Sequence, residues 1–324
     1  SCWAAIETKL HTSRSYLKEF NQHSTNPFHF RFLVPPKPYQ IFSEILMEDD
    51  MAGRLAGKVA LISGAGSCGP GWGNGRATAT LFAREGAKVF AADLNEEAVE
   101  ETRKTIEEEG NFCATHSCDV TKSDQIKEMV AACIKEFGTV DILHNNVGGS
   151  AAGGAMDMDE EIWDRQMDHN LKHVFLVTKE VLPHMVKQHS GSIINMSSTS
   201  GLTYGGAFQI AYATTKAAIR RYSQAVAIEF AGRGVRCNTI IPGQLHTPMV
   251  EVRLAGQRTG GDVDAIIASR NARIPMGQMG DGFDVAYAAV YFASDESKFV
   301  TGSEIVLDGG MSLKCTPLPD DYPQ

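Results

Sequence analysis

The chain has 324 residues, 43% hydrophobic and 21% charged, which suffices for a buried core in one large domain or two small ones. A formal charge of −9, with no strongly basic stretch, argues against nucleic acid as the main partner. No apolar run reaches the roughly 18 residues of a membrane span, and the seven scattered cysteines form no Cys-x-x-Cys pair, so reduced thiols and no metal site are expected.

Residues 1–50 stand apart. They are rich in Ser, Thr, His and Asn, hold LVPPKPY at 33–39, and keep no sustained periodicity. An irregular N-terminal extension is expected there, with a transit-type leader or sequence upstream of a start at Met51 as alternatives. Glu7, Glu19 and Glu44 weigh against a leader, which should be poor in acids. Residues 51–324 are expected to form a single domain.

From residue 57 strands and helices alternate. KVALIS (58–63) reads as the first strand and GRATATLFAREG (75–86) as the first helix. AKVFAAD (87–93) follows as a strand, then a helix with Asn95 as its N-cap. NFCATHSCDV gives a third strand, and the next helix carries a capping-box pattern at Thr121 and Asp124 and stops at Gly138. VDILHNN, GSIINMSS, GVRCNTIIPG and GSEIVLDGG supply four more strands, with helices at 158–188, 210–231 and 282–293. Strands apolar on both faces need helices on both sides. The expected fold class is therefore α/β, a doubly wound parallel sheet of the Rossmann type, with a nucleotide site at the carboxyl ends of the strands.

Two local patterns carry chemistry. SGAGSCGPGWGNGR (63–76) lies between a strand and a helix, where glycines let the backbone approach a pyrophosphate. Asp93 ends the second strand, where a carboxylate accepts bonds from both ribose hydroxyls of NAD and repels a 2′-phosphate. Tyr212 and Lys216 stand at i and i+4 in YATTK, hence on one helix face. An ammonium there favours the phenolate, making the tyrosine a usable general acid/base.

With DV at 119–120, NNVG at 145–148, HNLKHVF around Asn170, INMSS before YATTK, PGQLHTP at 242–248 and VTGSEIVLDGG near the end, the chain resembles the short-chain dehydrogenase/reductase family from about Lys58 to Met311. The resemblance implies an NAD-dependent oxidoreductase moving hydride between nicotinamide and a secondary alcohol or ketone. A dehydratase, an isomerase or a non-catalytic nucleotide-binding relative on the same fold is the alternative. It implies Tyr212 as general acid/base, Lys216 lowering its pKa and holding the ribose, Ser198 on the substrate oxygen, and Asn170 holding a water of a proton relay. Ser197, Thr199 and Ser200 rival Ser198. For the cofactor it implies Gly64, Gly73, Asn74 and Gly75 (with Gly66 as a substitute), Asp93, Asp119, Val120, Asn145, Pro242, Gly243, Leu245 and Thr247.

The glycine loop exceeds the family's common length by about five residues around Cys68–Trp72, a feature shared with the enoyl-reductase branch. That branch spaces its tyrosine and lysine more widely, so the ketone/alcohol branch is favoured. Substrate is expected to meet residues 148–158, 203–209 and a lid after Thr247, with Met156, Tyr204, Phe208 and Met249 as apolar candidates. His246 reads as structural or exposed, and no Arg cluster demands an anionic substrate. A homo-oligomer, tetramer or dimer, in the cytoplasm is implied.

Overall fold

The computed structural model describes residues 53–254 and 263–314. The N-terminal extension, part of the expected lid and the C-terminal tail lie outside the described residues. All described elements fall in one compact unit, Ala52–Gln324.

Seven parallel strands form one sheet in the order β3-β2-β1-β4-β5-β6-β7. They are β1 (Val59–Ser63), β2 (Lys88–Asp93), β3 (Cys113–Ser117), β4 (Ile142–Asn145), β5 (Gly191–Met196), β6 (Val235–Pro242) and β7 (Glu304–Leu307). The helices are α1 (Asn74–Arg84), α2 (Glu96–Glu108), α3 (Ser123–Phe137), α4 (Glu160–Met167), α5 (His173–Gln188), α6 (Ile210–Phe230), α7 (Val263–Asn271) and α8 (Gly282–Ala293). β1 explains the two-sided cover. Its Ala60 and Ile62 enter a core with residues of α1, α2 and α8, while Val59 and Leu61 enter a second core with residues of α3 and α5. Alternate residues of a strand point to opposite faces, so a strand apolar throughout must be buried twice.

Local signals fixed several ends. Asn95 caps α2 by accepting from Ala98 N at 3.1 Å, and Gly138 ends α3 with φ of 81°. The expected capping box at Thr121 is not formed. Thr121 instead donates from its hydroxyl to Asp119 Oδ1 at 2.7 Å, leaving Lys122 as an N-cap without a side-chain bond. The capping box among the described helices stands at Asp281 and Asp284 of α8. The helix expected over 158–188 is also divided: between α4 and α5 the backbone winds as a π-helix over Asp168–Lys172. Such wide turns recur at functional sites.

β1 pairs with β2 on one side and β4 on the other, so chain order reverses between β1 and β4. In open parallel sheets this reversal leaves a crevice at the carboxyl ends of the strands.

Candidate active site

A cavity of about 600 Å³ occupies that crevice. Gly64, Gly73, Asn74 and Gly75 line it from the β1–α1 loop and helix start, Asp93 from the end of β2, and Asp119 and Val120 from beyond β3. Ser198, Tyr212 and Lys216 line it from β5 and α6, followed by Pro242, Gly243, Leu245 and Thr247 after β6. Two expected residues stay off its wall. Asn145 is buried, donating to Asn195 Oδ1 at 2.8 Å, and ties β4 to β5. Asn170 lies beneath the wall, held to Gly149.

The loop is shaped by what a side chain would strike. Gly64 has φ of +73°, a conformation L side chains rarely adopt, and a Cβ on Gly75 would come 1.8 Å from the Gly64 carbonyl oxygen. The alternative Gly66 is equally confined: its N–H donates to Asp93 Oδ2 at 2.9 Å, and a Cβ would meet that carboxylate at 3.0 Å. Asp93 also accepts from Asn95 N at 3.0 Å. Gly73 caps α1 without a side chain, and no acid stands in the first turn. The N–H groups and positive dipole end of α1 therefore face the cavity uncompensated. A dinucleotide fits these walls: bare backbone and a helix N-terminus for pyrophosphate, and a carboxylate one strand away for a ribose.

At the far end Tyr212 and Ser198 line the same wall, and the Ser198 hydroxyl stands near enough to the phenol to favour its ionised form. Ser198 Oγ also accepts from Ser200 N at 3.2 Å, which fixes its rotamer at the cap of a short 3₁₀ turn. Among its rivals, Ser197 turns its hydroxyl to the Lys216 carbonyl at 2.6 Å. Lys216 Nζ lies 5.6 Å from the Tyr212 ring centroid and donates to the Met196 carbonyl at 2.8 Å.

Burial dominates the electrostatics. It pushes the Tyr212 phenol above its ordinary value, the Ser198 hydroxyl opposing, and pulls the Lys216 ammonium down to about 8. The expected lowering of the tyrosine's value by Lys216 is not found: the phenol is shifted upward, by loss of water, and only the Ser198 hydroxyl acts downward. His173, buried nearby, is pushed down to about 3, mainly by that same desolvation, and adds no charge at neutral pH. For Asp119 burial acts upward, yet two bonds from Thr121, with Lys122 and His169, hold the carboxyl below its usual value.

Asn170 sits in the π-helical turn, where its Oδ1 accepts from Gly149 N at 2.9 Å and its Nδ2 donates to Gly149 O at 3.0 Å. The wide turn thereby aims one side chain at a loop backbone. A Cβ on Gly148 would lie 3.0 Å from Lys216 Nζ and 3.2 Å from Asn170 Oδ1. The two polar groups flank a gap that the absent side chain leaves open.

Several lining residues were not anticipated. Asn146, rather than Asn145, reaches the cavity and donates to the Gly64 carbonyl at 2.7 Å; strand alternation points neighbours apart, so one of the pair had to be buried. Arg270 and His169 also line the wall. Of the apolar candidates Met249 does so, whereas Met156, Tyr204 and Phe208 are exposed, the last two with ring centroids 5.6 Å apart. His246 is half exposed, 3.6 Å from Glu251.

A family model described as enoyl-(acyl carrier protein) reductase matches residues 71–312. A 2,5-dichloro-2,5-cyclohexadiene-1,4-diol dehydrogenase of Sphingobium indicum is 40% identical over 263 residues, 81% of this chain and 99% of that protein. A 3-oxoacyl-[acyl-carrier-protein] reductase of Thermotoga maritima is 40% identical over 260 residues, 80% of this chain and all of the other. Among solved structures, one described as a short-chain dehydrogenase/reductase from Burkholderia xenovorans superposes with a TM-score of 0.76 at 47% identity, covering 82% of this chain and 100% of that one. The chain belongs to the short-chain dehydrogenase/reductase family and is a hydride-transfer oxidoreductase.

Proposed function

We propose that the enzyme interconverts a secondary alcohol and a ketone with NAD(H), and that Tyr212 is its general acid/base. The observation that carries this reading is the Tyr212–Ser198 hydroxyl pair beside Lys216, at the opposite end of one cavity from Asp93. When bound, the nicotinamide supplies or accepts the hydride. Ser198 donates to the substrate oxygen and stabilises charge as it develops there. Tyr212 gives its phenolic proton to that oxygen in reduction and takes the proton back in oxidation. Lys216 anchors the nicotinamide ribose and, when protonated, stabilises the phenolate. Asn170, across the gap at Gly148, orients a water that returns protons from solvent toward Lys216.

For the cofactor, Gly64, Gly73, Asn74 and Gly75 hold the pyrophosphate at the start of α1. Asp119 and Val120 flank the adenine, and Pro242, Gly243, Leu245 and Thr247 hold the carboxamide side. Asp93 selects NAD over NADP, because a carboxylate within reach of the 2′ position repels phosphate. Two relatives named above act, by their names, on a cyclic diol and on 3-oxoacyl chains, which supports carbonyl/carbinol chemistry but fixes no substrate. A homo-oligomer in the cytoplasm completes the reading; among the described residues no helix is long and apolar enough to cross a membrane.

The description of the matched family model favours a second reading, reduction of a carbon–carbon double bond. One experiment separates them. Absorbance of NADH and NADPH is followed at ~340 nm against alcohols, ketones and an α,β-unsaturated thioester, with wild type and Tyr212→Phe. The expected result is NADH-linked turnover of an alcohol/ketone pair that falls about 10²- to 10⁴-fold in the variant, with NAD binding retained. Saturation of the thioester alone supports the second reading, and full activity in the variant overturns the role of Tyr212.

A further inference from the structure

The charges on the cavity wall are sorted by position. Among the described lining residues the acids are Asp93 and Asp119, where β2 and β3 end, and the Lys and Arg residues are Lys216 and Arg270. Lys216 donates to the Met196 carbonyl at 2.8 Å. Arg270 is partly buried in the last turn of α7.

Three contacts tie α7 and the residues after it to the catalytic end. Arg273 donates to the Gly205 carbonyl at 3.1 Å, and Gly205 lines the cavity in the loop that leads into α6 and Tyr212. Met276 N donates to the Gly309 carbonyl at 3.2 Å, two residues before the lining residue Met311. Ile266 of α7 packs with Val250 of the segment after Thr247. Helix α7 and the chain that follows it are thus fastened to the loop before α6, to the chain after β7 and to the segment after Thr247.

We infer that the substrate carries an anionic group, carboxylate or phosphate, which Arg270 receives while the reacting carbon faces Tyr212 and Ser198. The inference rests on the alcohol/ketone reading above. A guanidinium is charged at every working pH, and its planar fork matches the two oxygens of a carboxylate or phosphate. Gly205, Ala207, Gln209 and Met249 add uncharged lining to the same cavity. A charge fixed at one end and hydroxyls at the other would orient an anionic alcohol in one direction only. The competing anion is the pyrophosphate of the cofactor, for which the glycine loop and the start of α1 are already shaped.

The test compares kcat/KM of wild type, Arg270→Gln and Arg270→Lys on matched pairs: a hydroxy acid with its methyl ester, and a hydroxyalkyl phosphate with its parent diol. NAD affinity is measured alongside by fluorescence quenching. Wild type should prefer a charged member, and which one it prefers identifies the anion. Arg270→Gln should lower the charged-to-neutral ratio on the order of 10- to 100-fold, and Arg270→Lys should restore part of it, with NAD affinity unmoved. Equal rates on charged and neutral members in wild type would overturn the inference, as would a loss of NAD affinity matching the loss of rate. Absence of any alcohol or ketone turnover in wild type would instead overturn the proposed function.

Discussion

Lys216 shows how a single residue can be costly to the fold and useful to the site. It is 3% exposed, and burial holds its amine at about 8, below the ordinary value of 10.5. A folded value below the unfolded one means the fold resists protonation. The resulting destabilisation is fully present below about pH 8 and disappears as pH rises toward 10.5. Lys216→Met removes this titration. Its stability relative to wild type should therefore be better at pH 7 than at pH 10, by about 2–3 kcal/mol, read from urea midpoints at the two pH values. A difference that does not change with pH would refute a buried, titrating amine. At this scale the sequence was informative about residue type but silent about direction. Tyr212 and Lys216 were legible because helical spacing puts i and i+4 together. Which of Asn145 and Asn146 faces the cavity depended on the register of β4. Arg270 was invisible, since one arginine in a stretch without a motif looks like any solvated charge until the helix holding it is fastened in place.

Elements carry the cofactor argument. The start of α1 has neither a capping side chain nor an acid, an arrangement that leaves helix stability unrealised. Gly73 has φ of −71° and ψ of 159°, ordinary extended values, and a Cβ there would meet Ser67 Oγ at 3.4 Å. An Asp is therefore tolerated by the backbone and would cap the helix. Gly73→Asp should raise stability by about 0.5 kcal/mol while lowering NAD affinity more than tenfold, because the new carboxylate takes the place meant for phosphate. Calorimetry of both quantities checks this, and unchanged NAD affinity would remove the pyrophosphate from that helix end. The strands of the sheet were readable because residues apolar on both faces have few other places to go. The π-helical turn at Asp168–Lys172 was not, because its sequence continues the helical periodicity of α4 and α5. Asn170 within the turn reaches Gly149, a tertiary contact that local periodicity does not reveal.

At the scale of the whole molecule, the described surface includes a largely apolar groove edged by Lys179, Glu229 and Arg233. Phe175, Leu182, Pro183, Val186, Tyr222, Val226 and Phe230 line that groove between α5 and α6, and Phe175 is 47% exposed. Exposed apolar grooves of this kind favour association, and the homo-oligomer proposed above would bury this one. Phe175→Asp should then shift the mass in solution, by light scattering, to a smaller species; an unchanged mass would exclude this face. The doubly wound layout, seven strands with helices on either side, followed from sequence patterning alone. The lengthened loop was recognised too, but its destination depended on chain far away.

That loop ends against the segment following Thr247. A Cβ on Gly69 would lie 2.8 Å from Val252 Cγ2, and one on Gly71 would lie 3.5 Å from Pro248. Val250 and Val252 themselves line the cavity. The consequence is one of timing. Cover over the dinucleotide end and cover over the reacting end meet at a single seam, so neither can open widely without disturbing the other. For the proposed reaction, cofactor dissociation and product departure are therefore expected to be coupled, so that lengthening or shortening residues 68–72 changes both rates together in stopped-flow measurements; independent rates would refute the coupling.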